Sequence, residues 1–231
     1  MYYTAGVGIV YDRGAHTQQF FQEHSDDITC LAMHPDRRLF ASGQVAAKEQ
    51  PPCVCLWDSV TLQLVQRIEF PAEEHQSYRM VVALAFSPRG DRLAVVTGDD
   101  RHTVWVYDWR TGSCTFSGVG KNGRPPQVFG LVWHPFLSRE DIERDPRNAR
   151  LDLPEEIFVT YGDRHIKFWL LQGRSPDGRE EYQGIPGKFG RAEIAHVHSA
   201  CFLPSGLLVT GGPRGDLLMW DATGRFGTSP G

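Results

Sequence analysis

Apolar and polar residues alternate along this chain in short runs, and the runs recur in a fixed order. A first run stops at a proline-containing turn: residues 28–33 before His34-Pro35-Asp36, 82–86 before Ser87-Pro88-Arg89-Gly90-Asp91, 128–133 before His134-Pro135, and 199–203 before Pro204-Ser205-Gly206. Proline fixes φ and cannot donate to a sheet ladder, so it ends a strand and starts a turn. A second run returns at once, over 39–42, 93–97, 157–161 and 207–210, and is closed by Gly43, Gly98, Gly162 and Gly211. A third run ends in an aromatic residue: Val54-Cys55-Leu56-Trp57-Asp58, Val104-Trp105-Val106-Tyr107-Asp108, His165-Ile166-Lys167-Phe168-Trp169 and Asp216-Leu217-Leu218-Met219-Trp220-Asp221.

Period-two alternation bounded by turn residues predicts antiparallel β-strands, and its recurrence predicts a repeated β unit. The aromatic ends Trp57, Tyr107, Trp169 and Trp220 lie 50, 62 and 51 residues apart. A four-stranded propeller blade takes roughly 40 to 45 residues, so these spacings fit blades with loop insertions. The expected fold is all-β: a single propeller region over 1–231 with about four blades of four-stranded antiparallel sheets. The blades fall at roughly 17–65, 66–114, 115–173 and 185–222, with 1–16 as a strand from a preceding blade and 223–231 as a tail. Residues 44–52 and 137–154 interrupt the grammar and read as surface insertions, which cost little in such positions. The charged stretch 138–145 reads as a solvated loop, with a short helix as the alternative.

Composition fits a folded, soluble chain, at 41% hydrophobic and 23% charged residues in 231. No apolar run approaches the roughly 20 residues needed to cross a bilayer, and Met1-Tyr2-Tyr3 does not open like a secretory signal. The expectation is a protein inside the cell, with no membrane partner. Cys30, Cys53, Cys55, Cys114 and Cys201 are odd in number and lack paired spacing, so they predict neither a disulfide framework nor a structural zinc site. A net charge of −4 argues against a protein that mainly neutralises nucleic-acid phosphates.

Several letter patterns are discounted on context. Gly118-Val119-Gly120-Lys121-Asn122-Gly123 is followed by Arg124-Pro125-Pro126 and another strand, whereas a dinucleotide loop must open a helix. Arg89-Gly90-Asp91 and Arg214-Gly215-Asp216 are turn chemistry. Cys53-Val54-Cys55 and His196-Val197-His198 each place two donors on one strand face, but no further ligand stands at a recognisable spacing, and strand packing is the reading taken. No nucleophile motif is present, so the chain is expected to be non-catalytic, with no cofactor and no metal.

The first unit is the most specific. Its segments are His24-Ser25-Asp26-Asp27-Ile28-Thr29-Cys30-Leu31-Ala32-Met33-His34-Pro35, Ala41-Ser42-Gly43-Gln44-Val45-Ala46 and Val54-Cys55-Leu56-Trp57-Asp58-Ser59-Val60-Thr61-Leu62. With Asp99-Asp100-Arg101-His102-Thr103-Val104 leading to Tyr107-Asp108-Trp109, they resemble the propeller region of the echinoderm microtubule-associated protein-like family, which is built from WD repeats. Tyr107 stands where that family usually has Trp. Tyr2 to Asp12 is similar to the strand that ends the family's hydrophobic signature motif. The resemblance runs nearly to Trp220 and weakens after Gly173. Members of the family carry two fused propellers and often a coiled coil, so four blades without a coiled coil are expected to be part of a larger arc with unpaired edges, with closure of four blades alone as the alternative.

The resemblance implies a WD-type structural network at His24, Ser42, Trp57, Asp58, Tyr107, Asp108, Trp169, Trp220 and Asp221. His24, Ser42 and the Trp57 indole are read as a buried hydrogen-bonded set, complete in the first unit alone. It also implies a cytoplasmic scaffold on the cytoskeleton that binds tubulin or microtubules. A general WD-repeat adaptor in a ciliary or signalling assembly is the alternative. Microtubule surfaces are acidic, so the candidate contacts are the basic turn residues Arg37, Arg38, Arg89 and Arg92, together with Lys121 and Arg124.

Overall fold

In the computed structural model, residues 1–48, 50–71, 78–135, 156–189 and 195–221 are described. The charged stretch 138–145 and the tail 223–231 lie outside them. The chain divides into two compact units, Met1–Pro125 and Pro126–Gly231. Among the described residues there is no helix, and strands form five antiparallel sheets. Among the described residues no helix is long and apolar enough to cross a membrane.

The first unit holds three sheets. The opening one is three-stranded, with β1 (Tyr2–Thr4), β2 (Val7–Asp12) and β3 (Thr17–Phe21) in that order. The next pairs β4 (Ile28–Met33), β5 (Leu39–Gln44), β6 (Cys53–Asp58) and β7 (Leu64–Glu69). The third pairs β8 (Val81–Phe86), β9 (Arg92–Thr97), β10 (Val104–Asp108) and β11 (Ser113–Gly118). Residues 2–21 thus make a sheet of their own, where one strand over 1–16 was expected, and Thr17–Phe21 belongs to it and not to the four-stranded sheet that follows. Tyr2–Thr4 is too short for its alternation to show in the sequence.

The second unit repeats the plan with β12 (Val128–Trp133), β13 (Ile157–Gly162), β14 (His165–Arg174) and β15 (Glu180–Pro186), and then β16 (Ser199–Phe202), β17 (Leu208–Gly211) and β18 (Leu217–Trp220).

Burial follows strand order. The middle strands β5, β6, β9 and β10 are almost wholly buried, because sheets stacked face to face cover both sides, whereas β7 and β11 at the sheet edges are largely exposed. In the first unit, Val54, Leu56 and Ile68 of one sheet meet Val81, Leu93, Val95 and Trp105 of the next in one apolar cluster. Gly43 permits that approach. A Cβ there would stand 2.5 Å from the Val81 Cγ1 and 2.9 Å from the Cys30 Sγ. A smaller cluster stacks Trp57 on Phe21, with ring centroids 4.6 Å apart and planes within 4°. In the second unit, Val159, Phe168, Leu208 and Trp220 anchor the equivalent core.

The first two strands of each four-stranded sheet share one irregularity. Their register slips between Ile28 and Cys30, between Val81 and Ala83, and between Val128 and Gly130. Such a bulge adds twist at the same place in each blade, and single-sequence alternation does not reveal it.

A histidine latch ties neighbouring turns in the first unit. His34 Nε2 lies 2.9 Å from the carbonyl oxygen of Gly90, which also accepts the Trp109 indole N–H at 2.6 Å. Gly90 sits at φ 72°, and a Cβ on it would lie 2.2 Å from His34 Nε2. Since a carbonyl only accepts, Nε2 carries the proton, leaving Nδ1 to accept the Asp36 amide at 3.1 Å. The β4–β5 and β8–β9 turns are therefore neighbours at one end of these sheets.

Candidate functional site: a hydrogen-bonded spine and a face of turns

In each of the four sheets from β4 onward, a Ser or Thr of the second strand accepts an indole N–H from the third strand. Trp57 Nε1 donates to Ser42 Oγ at 3.0 Å, Trp105 to Thr97 at 3.1 Å, Trp169 to Thr160 at 3.1 Å and Trp220 to Thr210 at 2.9 Å. The geometry is set by register. Ser42 pairs with Cys55, Thr160 with Lys167 and Thr210 with Leu218, and the tryptophan stands two residues further on, on the same face.

Ser42 also binds His24, whose Nε2 lies 2.6 Å from its Oγ, so the structure brings His24, Ser42 and Trp57 together. Gln44 fixes the tautomer. Its amide nitrogen lies 3.2 Å from the Val45 carbonyl, which only accepts, so its oxygen must face His24 Nδ1 at 2.8 Å. Nδ1 therefore carries the proton, and Nε2 accepts from the Ser42 hydroxyl. Burial holds the His24 pKa below the ordinary histidine value, partly offset by the hydrogen bond to Gln44, which keeps the ring neutral near pH 7.

The other sheets vary the theme and are not purely apolar. In the third sheet the indole donor is Trp105, while Tyr107, the residue aligned with Trp57 by its following Asp, is buried in the apolar cluster. There the hydroxyl network is translated along the strands and closed by the buried carboxylate of Asp99. Asp99 accepts from Thr97 Oγ1 at 2.8 Å and from Thr103 through its amide at 2.9 Å and its hydroxyl at 2.7 Å. In the fourth sheet His165 Nε2 reaches Thr160 Oγ1 at 3.0 Å from the adjacent strand. Sequence reasoning missed Thr97, Asp99, Thr160, His165 and Thr210. A Ser or Thr in the last two positions of each second run is the signal that finds three of them.

The aspartates after the aromatic residues hold turns. Asp58 Oδ1 accepts the amides of Val60 at 2.8 Å and Thr61 at 3.0 Å, and Asp108 Oδ1 accepts that of Arg110 at 3.1 Å. The Thr61 and Val60 amides, with Arg38 beside them, keep the Asp58 carboxyl below the usual carboxylate range. Asp221 is half-buried after Trp220.

The basic candidates separate into two groups. Arg38 and Arg92 face the strand-end carboxylates, Arg38 Nε to Asp58 at 2.5 Å and Arg92 to Asp108 at 3.8 Å. Arg37, at φ 62°, and Arg89 are exposed on the two turns that the His34 latch joins, with Arg89 3.7 Å from Asp91. Arg110, which the sequence reading passed over, lies at the same strand ends, its guanidinium 4.6 Å above the Trp109 ring. Lys121 and Arg124 follow β11 and sit by the β9–β10 turn, where the Lys121 carbonyl meets His102 Nδ1 at 2.9 Å and the Gly123 amide donates to the Asp100 carbonyl at 2.8 Å. Successive turns of an antiparallel sheet alternate ends, so these two cations lie opposite the arginines.

A third grouping joins different strands. His24, Cys53 and Cys55 bring their donor atoms within 4.8 Å of one another beside a cavity of about 540 Å³. A hydrogen bond from Cys55 and the Arg67 guanidinium hold the Cys53 thiol down at about 7, while that same hydrogen bond and burial push Cys55 up.

Five antiparallel sheets in series, four of them with an indole-to-hydroxyl bond, give the chain the all-β, propeller-like architecture of WD repeats. A model of the WD domain, G-beta repeat, matches residues 15–58 and 67–108. The resemblance read from the first unit holds across the chain. It is 30% identical over 227 residues to echinoderm microtubule-associated protein-like 1 of Rattus norvegicus, covering 95% of this chain and 24% of that protein. It is 31% identical over 232 residues to echinoderm microtubule-associated protein-like 2 of Mus musculus (97% and 31%), and 29% identical over 230 residues to the human protein-like 4 (96% and 20%). The chain thus spans less than a third of the length of these relatives.

Proposed function

We propose that this protein is a non-catalytic, microtubule-associated scaffold of the cytoplasmic cytoskeleton, and that it binds tubulin or the microtubule lattice through the turns of its blades. The observation that carries this reading is the similarity, over almost the whole chain, to proteins named as microtubule-associated. The fold agrees in kind. Buried Ser42, Thr97, Thr160 and Thr210 are taken up in hydrogen bonds between strands, and Arg37 and Arg89 are exposed on turns, where propellers meet protein partners.

Salt-dependent co-sedimentation of the monodisperse chain with stabilised microtubules, paired with gel filtration against free tubulin dimers, tests the proposal. Saturable binding that weakens as salt shortens the Debye length from about 10 Å at 0.1 M is expected. Failure of a well-folded chain to bind either form overturns it in favour of a WD-repeat adaptor in another assembly.

A further inference from the structure

We propose that His24, Cys53 and Cys55 form a binding site for a soft metal ion, zinc in the first instance, on one face of β6 in the sheet formed by β4 to β7. The strand alternation puts both thiols on one face of β6, and the segment before β4 adds the imidazole, a donor from elsewhere in the chain that no local spacing announces.

Two thiols and an imidazole are the donor set that selects zinc or copper(I) over hard cations such as magnesium or calcium. Their donor atoms already lie within 4.8 Å of one another. A tetrahedral zinc ion with ligands at about 2.0 to 2.3 Å needs them about 3.5 Å apart, a closure within reach of side-chain rotation.

The surroundings prepare each donor. Gln44 accepts the Nδ1–H of His24, so the Nε2 lone pair, which otherwise accepts from Ser42, is the one a metal can take, with its ring held from behind as metal-bound imidazoles are. Ser42, which now donates to Nε2, has a second acceptor in the Cys55 carbonyl at 3.5 Å. It keeps the Trp57 indole bond when the imidazole turns to a metal, so the strand network and the metal site coexist. Arg67 donates to the Cys53 Sγ at 3.2 Å, a charge-assisted contact that suits a thiolate. Two thiolates also balance one divalent cation. The cavity beside the cluster, lined by Glu23, Ser25, Arg67 and Glu69 as well as His24 and Cys53, leaves the fourth position to a carboxylate or to solvent.

A disulfide is the competing use of the two thiols. Residues two apart on an extended strand have Cα atoms about 6.6 Å apart, at the far edge of disulfide geometry, whereas a metal bridges the thiols without contracting the backbone. Both cysteines are free.

The test uses the full chain, reduced and stripped with a chelator, then titrated with cobalt(II) as a spectroscopic stand-in and back-titrated with zinc. One equivalent of cobalt with tetrahedral visible bands and thiolate charge-transfer absorption, displaced by zinc, is the expected result. Cys53→Ser and Cys55→Ser should each weaken binding at least about tenfold, while Cys114→Ser and Cys201→Ser, at exposed sites, leave it unchanged. X-ray absorption of the wild-type zinc form needs no variant to fold, and should show two sulfur neighbours. Octahedral cobalt spectra, a first shell of nitrogen and oxygen alone, or thiolate bands that survive in both Cys53→Ser and Cys55→Ser would overturn the assignment.

Discussion

Ser42 shows how much one side chain carries. It is fully buried, accepts the Trp57 indole, donates to neutral His24 and has the Cys55 carbonyl within reach. Replacing it with alanine removes only one oxygen, but it leaves an indole N–H and an imidazole nitrogen without their partner in the interior. Such orphaned groups cost about 1 to 3 kcal/mol. Ser42→Ala is therefore expected to lower the free energy of unfolding by that amount in urea titrations followed by tryptophan fluorescence. Loss of only a few tenths would mean that the bond does not order the blade.

At the scale of the strand, the instructive case is β9 with β10. Trp105 and Tyr107 lie two residues apart and so share one face, and the sequence reading placed Tyr107 in the network because an aspartate follows it. The ladder decides otherwise. Thr97 bonds backbone to backbone with Thr103, and the residue two further on is Trp105. Trp105→Phe should thus cost the indole bond and some packing, while Tyr107→Phe, whose ring keeps its apolar neighbours, should cost less than half as much in the same denaturation assay. The reverse order would return Tyr107 to the spine. This pair also marks what was legible in the sequence. Strand type, turn placement and the Asp after the aromatic residue follow from period two, proline and hydrogen-bonding turn chemistry, all of them local. The registers, the repeated bulge near Ile28, Val81 and Val128, and the meeting of His24 with Cys53 and Cys55 depend on which strands pair, and no local pattern records that. The same limit applies to Arg38 and Arg92, which look like free turn cations in the sequence until pairing sets them against Asp58 and Asp108.

For the whole molecule, the constraint is charge. A chain of net charge −4 approaching an acidic polymer must direct cations toward it, and within the first unit the structure separates the basic candidates by strand end. Arg37 and Arg89 are exposed on turns joined by the His34 latch, with Arg110 at the same end, whereas Lys121 and Arg124 lie at the other. Arg38 and Arg92 are poor probes, because reversing them sets like charges against strand-end carboxylates and disturbs the blade itself. The informative pair is Arg37→Glu with Arg89→Glu. If the arginine-bearing turns form the contact, this double variant should weaken microtubule co-sedimentation about tenfold or more at low salt, through slower association. Lys121→Glu with Arg124→Glu should change it less than about twofold, and the difference between the two should shrink as salt rises, since exposed charges are screened. Should the Lys121 and Arg124 pair prove the sensitive one, the contact belongs to the opposite strand ends. Equal losses in both would mean that net charge, and not a face, governs the attraction.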